Sequence, residues 1–135
     1  MIQSSVRLPV IIPDLSYGLK EAVGLLKADN QHIILELQEQ DALVGAYKTG
    51  VNTYKIAWKD IDSIELDKGL FSSSLIISAK SMSAIEDIPG NKQGQCIFKI
   101  SRKDKKNAEK TISVLNLHLS EIRLEELDDS EDEEL

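Results

Sequence analysis

Apolar and polar positions follow two different periods along this chain. Up to about Ile100 the apolar residues alternate with polar ones or come in short bursts, and beyond it they recur every three to four positions. Alternation places successive side chains on opposite faces of a strand; a period near 3.6 gathers them on one face of a helix. Residues 6–12 are apolar, interrupted by Pro9 and closed by Pro13-Asp14. A residue without an N–H suits an edge strand or an arm. Residues 15–18 read as a turn. Residues 20–28 and 32–39 flank Asp29-Asn30-Gln31, the turn chemistry of a β-hairpin. In the second arm Ile33, Leu35 and Leu37 share one face, and Ile34, Glu36 and Gln38 the other.

Leu43, Val44, Ala46 and Tyr47 suggest a short strand before a Lys48-Thr49-Gly50 turn. Tyr54, Ile56 and Trp58 alternate with Lys55, Ala57 and Lys59, and Lys59-Asp60 turns the chain. Ile61, Ile64 and Leu66 open a strand that stops at Asp67-Lys68-Gly69. Ser72-Ser73-Ser74 leads into a strand core at 75–79. Residues 81–88 fit no single element, and residues 89–94, with Pro89, Gly90 and Gly94, form a loop. The last strand, 95–100, puts Cys96, Phe98 and Ile100 on one face.

Then Ala108, Ile112, Leu115, Leu119 and Ile122 mark one side of a helix. Burying these five side chains contributes about 1.5–3 kcal/mol each before conformational entropy is counted. Ser101-Arg102-Lys103-Asp104 has the S-x-x-D spacing that can satisfy free helix N–H groups reciprocally. The helix is expected over about 102–126, followed by a disordered acidic tail at 127–135 that lacks any core-forming pattern. Residues 1–17 are then an arm or edge strand, and 18–126 the domain.

Strands in succession without helices between them pair as antiparallel neighbours. The expected fold is mainly β (α+β): an antiparallel barrel or orthogonal sandwich of six to seven strands, capped by one C-terminal α-helix. This series, with the string from Tyr54-Lys55-Ile56-Ala57-Trp58 through Asp60-Ile61, Ser63-Ile64-Glu65-Leu66 and Lys68-Gly69-Leu70-Phe71, resembles the bacterial pleckstrin-homology-like (PH-like) domain family over about residues 18–124. Lipid-binding members hold inositol phosphates with lysines and arginines around the first hairpin. The turn matched to it here, from Ala28 to His32, has only Lys27 beside it and carries Asp29, so phosphoinositide binding is not carried over. The tryptophan usual in the terminal helix of eukaryotic members is also missing, since the only one is Trp58.

Charge changes the picture. The chain has 135 residues and a formal net charge of −7. Residues 121–135 hold nine carboxylates against Arg123, a net of −8, while residues 1–120 hold 14 acids and 15 bases. The body is near neutral and the acidity sits at one end. Lys99, Arg102, Lys103, Lys105, Lys106 and Lys110 crowd the helix start against Asp104 and Glu109. Both helix ends are thus charged against the macrodipole. Solvent and salt screening explains this; so does an anionic partner, including the chain's own tail or that of a neighbouring copy. Nucleic acid is disfavoured because no aromatics interleave the lysines. Leu117, Leu124 and Leu127 lie beside the main stripe, as a wide core face or as an interface shared with Met82 and Ile85.

No catalytic motif is present. His32 and His118 lack metal-ligand spacing and read as a strand-end and a helix-surface histidine. The serine run has no nucleophile elbow. Cys96 reads as a buried inert thiol, and Gly90-Asn91-Lys92-Gln93-Gly94 lacks the ending of a P-loop. No cofactor or metal is expected. The N-terminus lacks the pattern of a signal peptide, and no apolar run approaches the ~20 residues of a membrane span. One cysteine excludes an internal disulfide and suits a reducing, cytoplasmic setting. The expected function is a non-enzymatic protein-interaction or assembly module, self-associating. The alternative is a binder of small anions or lipid headgroups, modulated by the acidic tail.

Overall fold

The computed structural model describes residues 5–46 and 50–134. Among these residues seven antiparallel strands form one sheet: β1 (Arg7–Leu15), β2 (Lys20–Ala28), β3 (His32–Asp41), β4 (Asn52–Ala57), β5 (Ile61–Lys68), β6 (Ser73–Ala79) and β7 (Gln95–Ile100). Their order is β4-β3-β2-β1-β7-β6-β5. The edge strands β4 and β5 are consecutive in sequence, joined only by a 3-10 turn at Trp58–Asp60. So short a link holds one end of each edge close to the other and forces the sheet to curl. Alternate residues then face inward, among them Leu8, Val10, Leu26, Ile33, Leu35, Ile56, Leu75, Ile77, Cys96 and Phe98, all buried. Among the described residues one α-helix, α1 (Lys105–Glu134), packs against β5 and β1. This is the antiparallel, helix-capped architecture that the alternation predicts.

Gly24 lies in β2 where that strand runs closest against β3. A Cβ at that position would stand 1.8 Å from the Glu36 carbonyl oxygen of β3. Only glycine lets the two backbones come so close.

Three expectations change. β1 is neither an arm nor an edge strand; it is the middle strand, paired with β2 from Arg7 to Leu15. The division at residue 17 therefore falls inside the β1–β2 hairpin. Pro9 and Pro13 bring no N–H to the sheet, and the β1–β7 ladder holds a single residue pair, Ile11 with Lys99. Sequence rules bar proline from complete ladders, and this ladder is incomplete. The short strand expected around Leu43, Val44 and Ala46 is a turn, held by the Asp41 carboxylate accepting from the Leu43 and Val44 N–H groups; Tyr47, Lys48 and Thr49 lie outside the described residues. Residues 82–85 form a 3-10 turn whose Ile85, with Ile88, plugs the core.

The helix also differs. It begins after a 3-10 turn at Arg102–Asp104. There Ser101 Oγ donates to the Asp104 carboxylate at 2.9 Å, so the two side chains satisfy one another and not the helix N–H groups. At the other end the backbone stays helical to Glu134 instead of fraying near Glu126 into a disordered tail. No proline or glycine interrupts it, and glutamate is a good helix former.

The inner stripe of α1 is Ala108, Thr111, Leu115, His118 and Leu119, with Ile112 and Ile122 half-buried. Two polar ties bind the helix to the edge strand: Asn116 Nδ2 donates to the Ile64 carbonyl at 3.2 Å, and the Arg123 guanidinium donates to the Asp62 carbonyl. Asn107 Nδ2 donates to the Arg7 carbonyl at 2.9 Å, fixing the start of β1.

Candidate functional site

The exposed chemistry concentrates on the helix. Lys99, Arg102, Lys103, Lys105, Lys106 and Lys110 are all exposed around its start. Lys99 sits on β7 opposite Ser74, and the other five stand on or before the first turns of α1. The two acids among them are occupied. Asp104 accepts from Ser101, and the Glu109 carboxylate pairs with Lys68 at 3.5 Å. None of the six cations has an ion pair among the described residues. The six cations are thus exposed and unneutralised among the described residues.

The β5–β6 turn adds an element that charge counting misses. Leu70 and Phe71 project from it, 92% and 82% exposed. Together with Gly69, Ser72, Ser73, Arg102 and Lys105 they line a small pocket of about 100 Å³. Leu70 and Phe71 stand in the Lys-Gly-Leu-Phe string and could have been read as an exposed tip, because a turn offers no core to receive them.

The expected interface residues separate into two groups. Leu117, Leu124 and Leu127 are exposed on the face of α1 turned away from the core, and Met82 is exposed in its own turn. Ile85 is 1% exposed and belongs to the core, so it contributes to no interface. From Arg123 to Asp129 every helical residue is exposed. Lys80 and Glu126 pair at 3.8 Å, close to where the helix leaves the body.

Because the acidic residues continue α1, they cannot fold back onto the cations at its start. Lys105 and Leu127 are separated by about 33 Å of rigid helix. The described acidic residues Glu125, Glu126, Asp128 and Asp129 therefore stand well away from the patch of their own chain.

Both histidines meet at one turn. Asp29 Oδ1 accepts from the N–H groups of Gln31 and His32 at 2.8 and 2.7 Å, which holds its carboxyl below the usual range. His118 is buried, not on the helix surface, and its Nε2 lies 3.2 Å from the Asn30 carbonyl. Its Nδ1 faces the Glu121 carboxylate at 3.5 Å. His32, half-buried, has Nδ1 3.8 Å from Asp29. The arrangement braces the β2–β3 turn. With β1 inside the sheet, the first hairpin is β1–β2. Its turn, Ser16-Tyr17-Gly18-Leu19, is followed by a single base, Lys20.

Cys96 is buried, and burial pushes its thiol up to about 12. Ser73 is buried under the β5–β6 turn. Among the described residues no three His, Cys, Asp or Glu side chains converge as metal ligands, and no helix is long and apolar enough to cross a membrane. Comparison of the chain with protein-family models, curated proteins and solved structures finds no match.

Proposed function

We propose that this chain is a non-enzymatic, PH-like protein-interaction and assembly module that associates with itself. The observation that carries the reading is the outward face of α1. Three large leucines, Leu117, Leu124 and Leu127, stand in solvent on the side opposite the core stripe, each more than 60% exposed. Scattered single apolar residues mean little, but a row along one helix face suits a contact. The fold supplies what such a module needs, a rigid body with one long helix fixed across it. A cytoplasmic setting suits its single buried thiol. Light scattering on the full chain over a wide concentration range tests the reading. Mass rising with concentration is expected, and a mass fixed at that of one chain overturns it.

A second reading has its own support. The pocket between Arg102, Lys105, Ser72 and Ser73 has the size and charge for a phosphate-like anion, and the Leu70–Phe71 tip beside it suits a lipid surface. Sedimentation with vesicles containing phosphatidylserine, and titration with inorganic phosphate, separate the two sources. Binding that Arg102→Glu abolishes supports this reading; no binding to either probe removes it.

A further inference from the structure

Charge is not spread evenly along the outward face of α1. Two seven-residue rows make up that face: Lys110, Leu117 and Leu124, and beside them Lys106, Ser113, Ser120 and Leu127. All seven are exposed. A seven-residue spacing keeps a seam in one direction along a helix, as two paired helices require. The seam begins with lysines, runs through small serines and Leu117, and ends with leucines flanked by Glu125 and Asp128. Neither of these acids has an ion pair among the described residues, and neither do Lys106 and Lys110.

A seam that changes sign along its length has a definite consequence for a second copy. Laid parallel, lysines meet lysines and carboxylates meet carboxylates. Laid antiparallel about a point near Leu117, Lys106 comes opposite Asp128 and Lys110 comes beside Leu124 and Glu125. Ser113 and Ser120 flank the middle, where small side chains let the two backbones approach. We propose that α1 pairs with α1 of a second copy in an antiparallel, two-fold homodimer through this seam.

The contact is self-complementary, so it closes on itself and stops at two chains. It leaves the core-facing stripe untouched, because the seam and the stripe lie on opposite sides of the helix. It also gives a role to both charged ends: each opposes its own macrodipole, and each is neutralised by the other copy. The inference rests on the self-association reading above.

The test uses the full chain in sedimentation velocity. A dimer that dissociates as salt is raised, with no larger species, is expected. Leu117→Asp is expected to yield monomers with an unchanged circular dichroism spectrum. Lys106→Glu/Lys110→Glu and Glu125→Lys/Asp128→Lys are each expected to be monomeric alone and to pair one-to-one when mixed. Orientation is read with a short bismaleimide. Lys106→Cys alone and Leu127→Cys alone should give no cross-linked dimer, while their mixture should; Cys96 is buried and does not compete. Cross-linking of either single variant with itself means parallel pairing and overturns the proposal. Association of the native chain that survives Leu117→Asp, or a mixture that does not cross-link, overturns it while leaving self-assembly intact. A native chain that never associates overturns both readings.

Discussion

The Trp58 indole and the His118 imidazole meet edge to face, with ring centres 4.6 Å apart and planes at 70°. The pair joins the link between β4 and β5 to the middle of α1. The same indole donates through Nε1 to the Asp29 carbonyl at 2.8 Å, and the Trp58 N–H donates to the Gln31 carbonyl at 3.1 Å. His118 reaches Asn30 from the other side. One turn, one link and one helix are locked at a single point.

Removing that lock is expected to be costly. Trp58→Ala should destabilise the fold by about 3–5 kcal/mol, the range for emptying a large buried aromatic site. Trp58→Phe keeps most of the packing but leaves the Asp29 carbonyl without its donor, and should cost about 1–3 kcal/mol. Urea unfolding followed by far-ultraviolet circular dichroism gives both values.

Gly24→Ala should destabilise by about 1–3 kcal/mol or more, through overpacking against the β3 backbone. The clash is with a carbonyl of a paired strand, which has no rotamer to yield. The sheet must open locally, so amide exchange of Leu37, Gly24's partner in the register, should quicken more than that of Ile77 in β6.

Asp29 gives the stability a pH dependence of known sign. Its folded pKa lies below the ordinary value of 3.8, chiefly through the Gln31 N–H bond, with His32 adding to it and partial burial opposing it. A depressed carboxyl pKa contributes stability above the unfolded pKa and loses it as pH falls through the folded one. Asp29→Ala should therefore lower the unfolding midpoint at pH 7 more than at pH 2.5. Equal loss at both values would show that the turn is held by its backbone alone.

Cys96 should not react with a disulfide reagent at pH 8 until the protein unfolds. With the thiol pushed up to about 12 and the side chain buried, the thiolate is scarce and shielded. Reaction with a stoichiometric reagent on a timescale of seconds in native buffer would contradict its placement.

Most of the fold was legible because the alternation was clean. The β2–β3 hairpin, the Lys59-Asp60 turn, the β7 face of Cys96, Phe98 and Ile100, and the helix stripe all follow from local pattern. The position of β1 did not, because Pro9 is a local signal whose effect depends on which neighbour lacks a ladder. His118 escapes local pattern for a related reason: an i, i+4 count assigns it no partner, and its environment is made by residues 60 and 88 positions away. The charged cluster was legible by counting, whereas its freedom from partners required the contacts of Asp104 and Glu109. The two-row seam lay in the sequence as well, but leucines beside a core stripe look the same whether they are buried or bare.

The ties from α1 to β5 bear on how the protein avoids assembling wrongly. An edge strand offers a row of carbonyls and N–H groups to any strand that drifts past. Here Asn116 and Arg123 already occupy the carbonyls of Ile64 and Asp62 on that edge. The helix acts as a guard rail: it blocks sheet-to-sheet polymerisation along β5 while leaving its own outer face open. Asn116→Ala with Arg123→Ala should therefore speed amyloid-type fibril formation, followed by thioflavin fluorescence, well before it unfolds the domain.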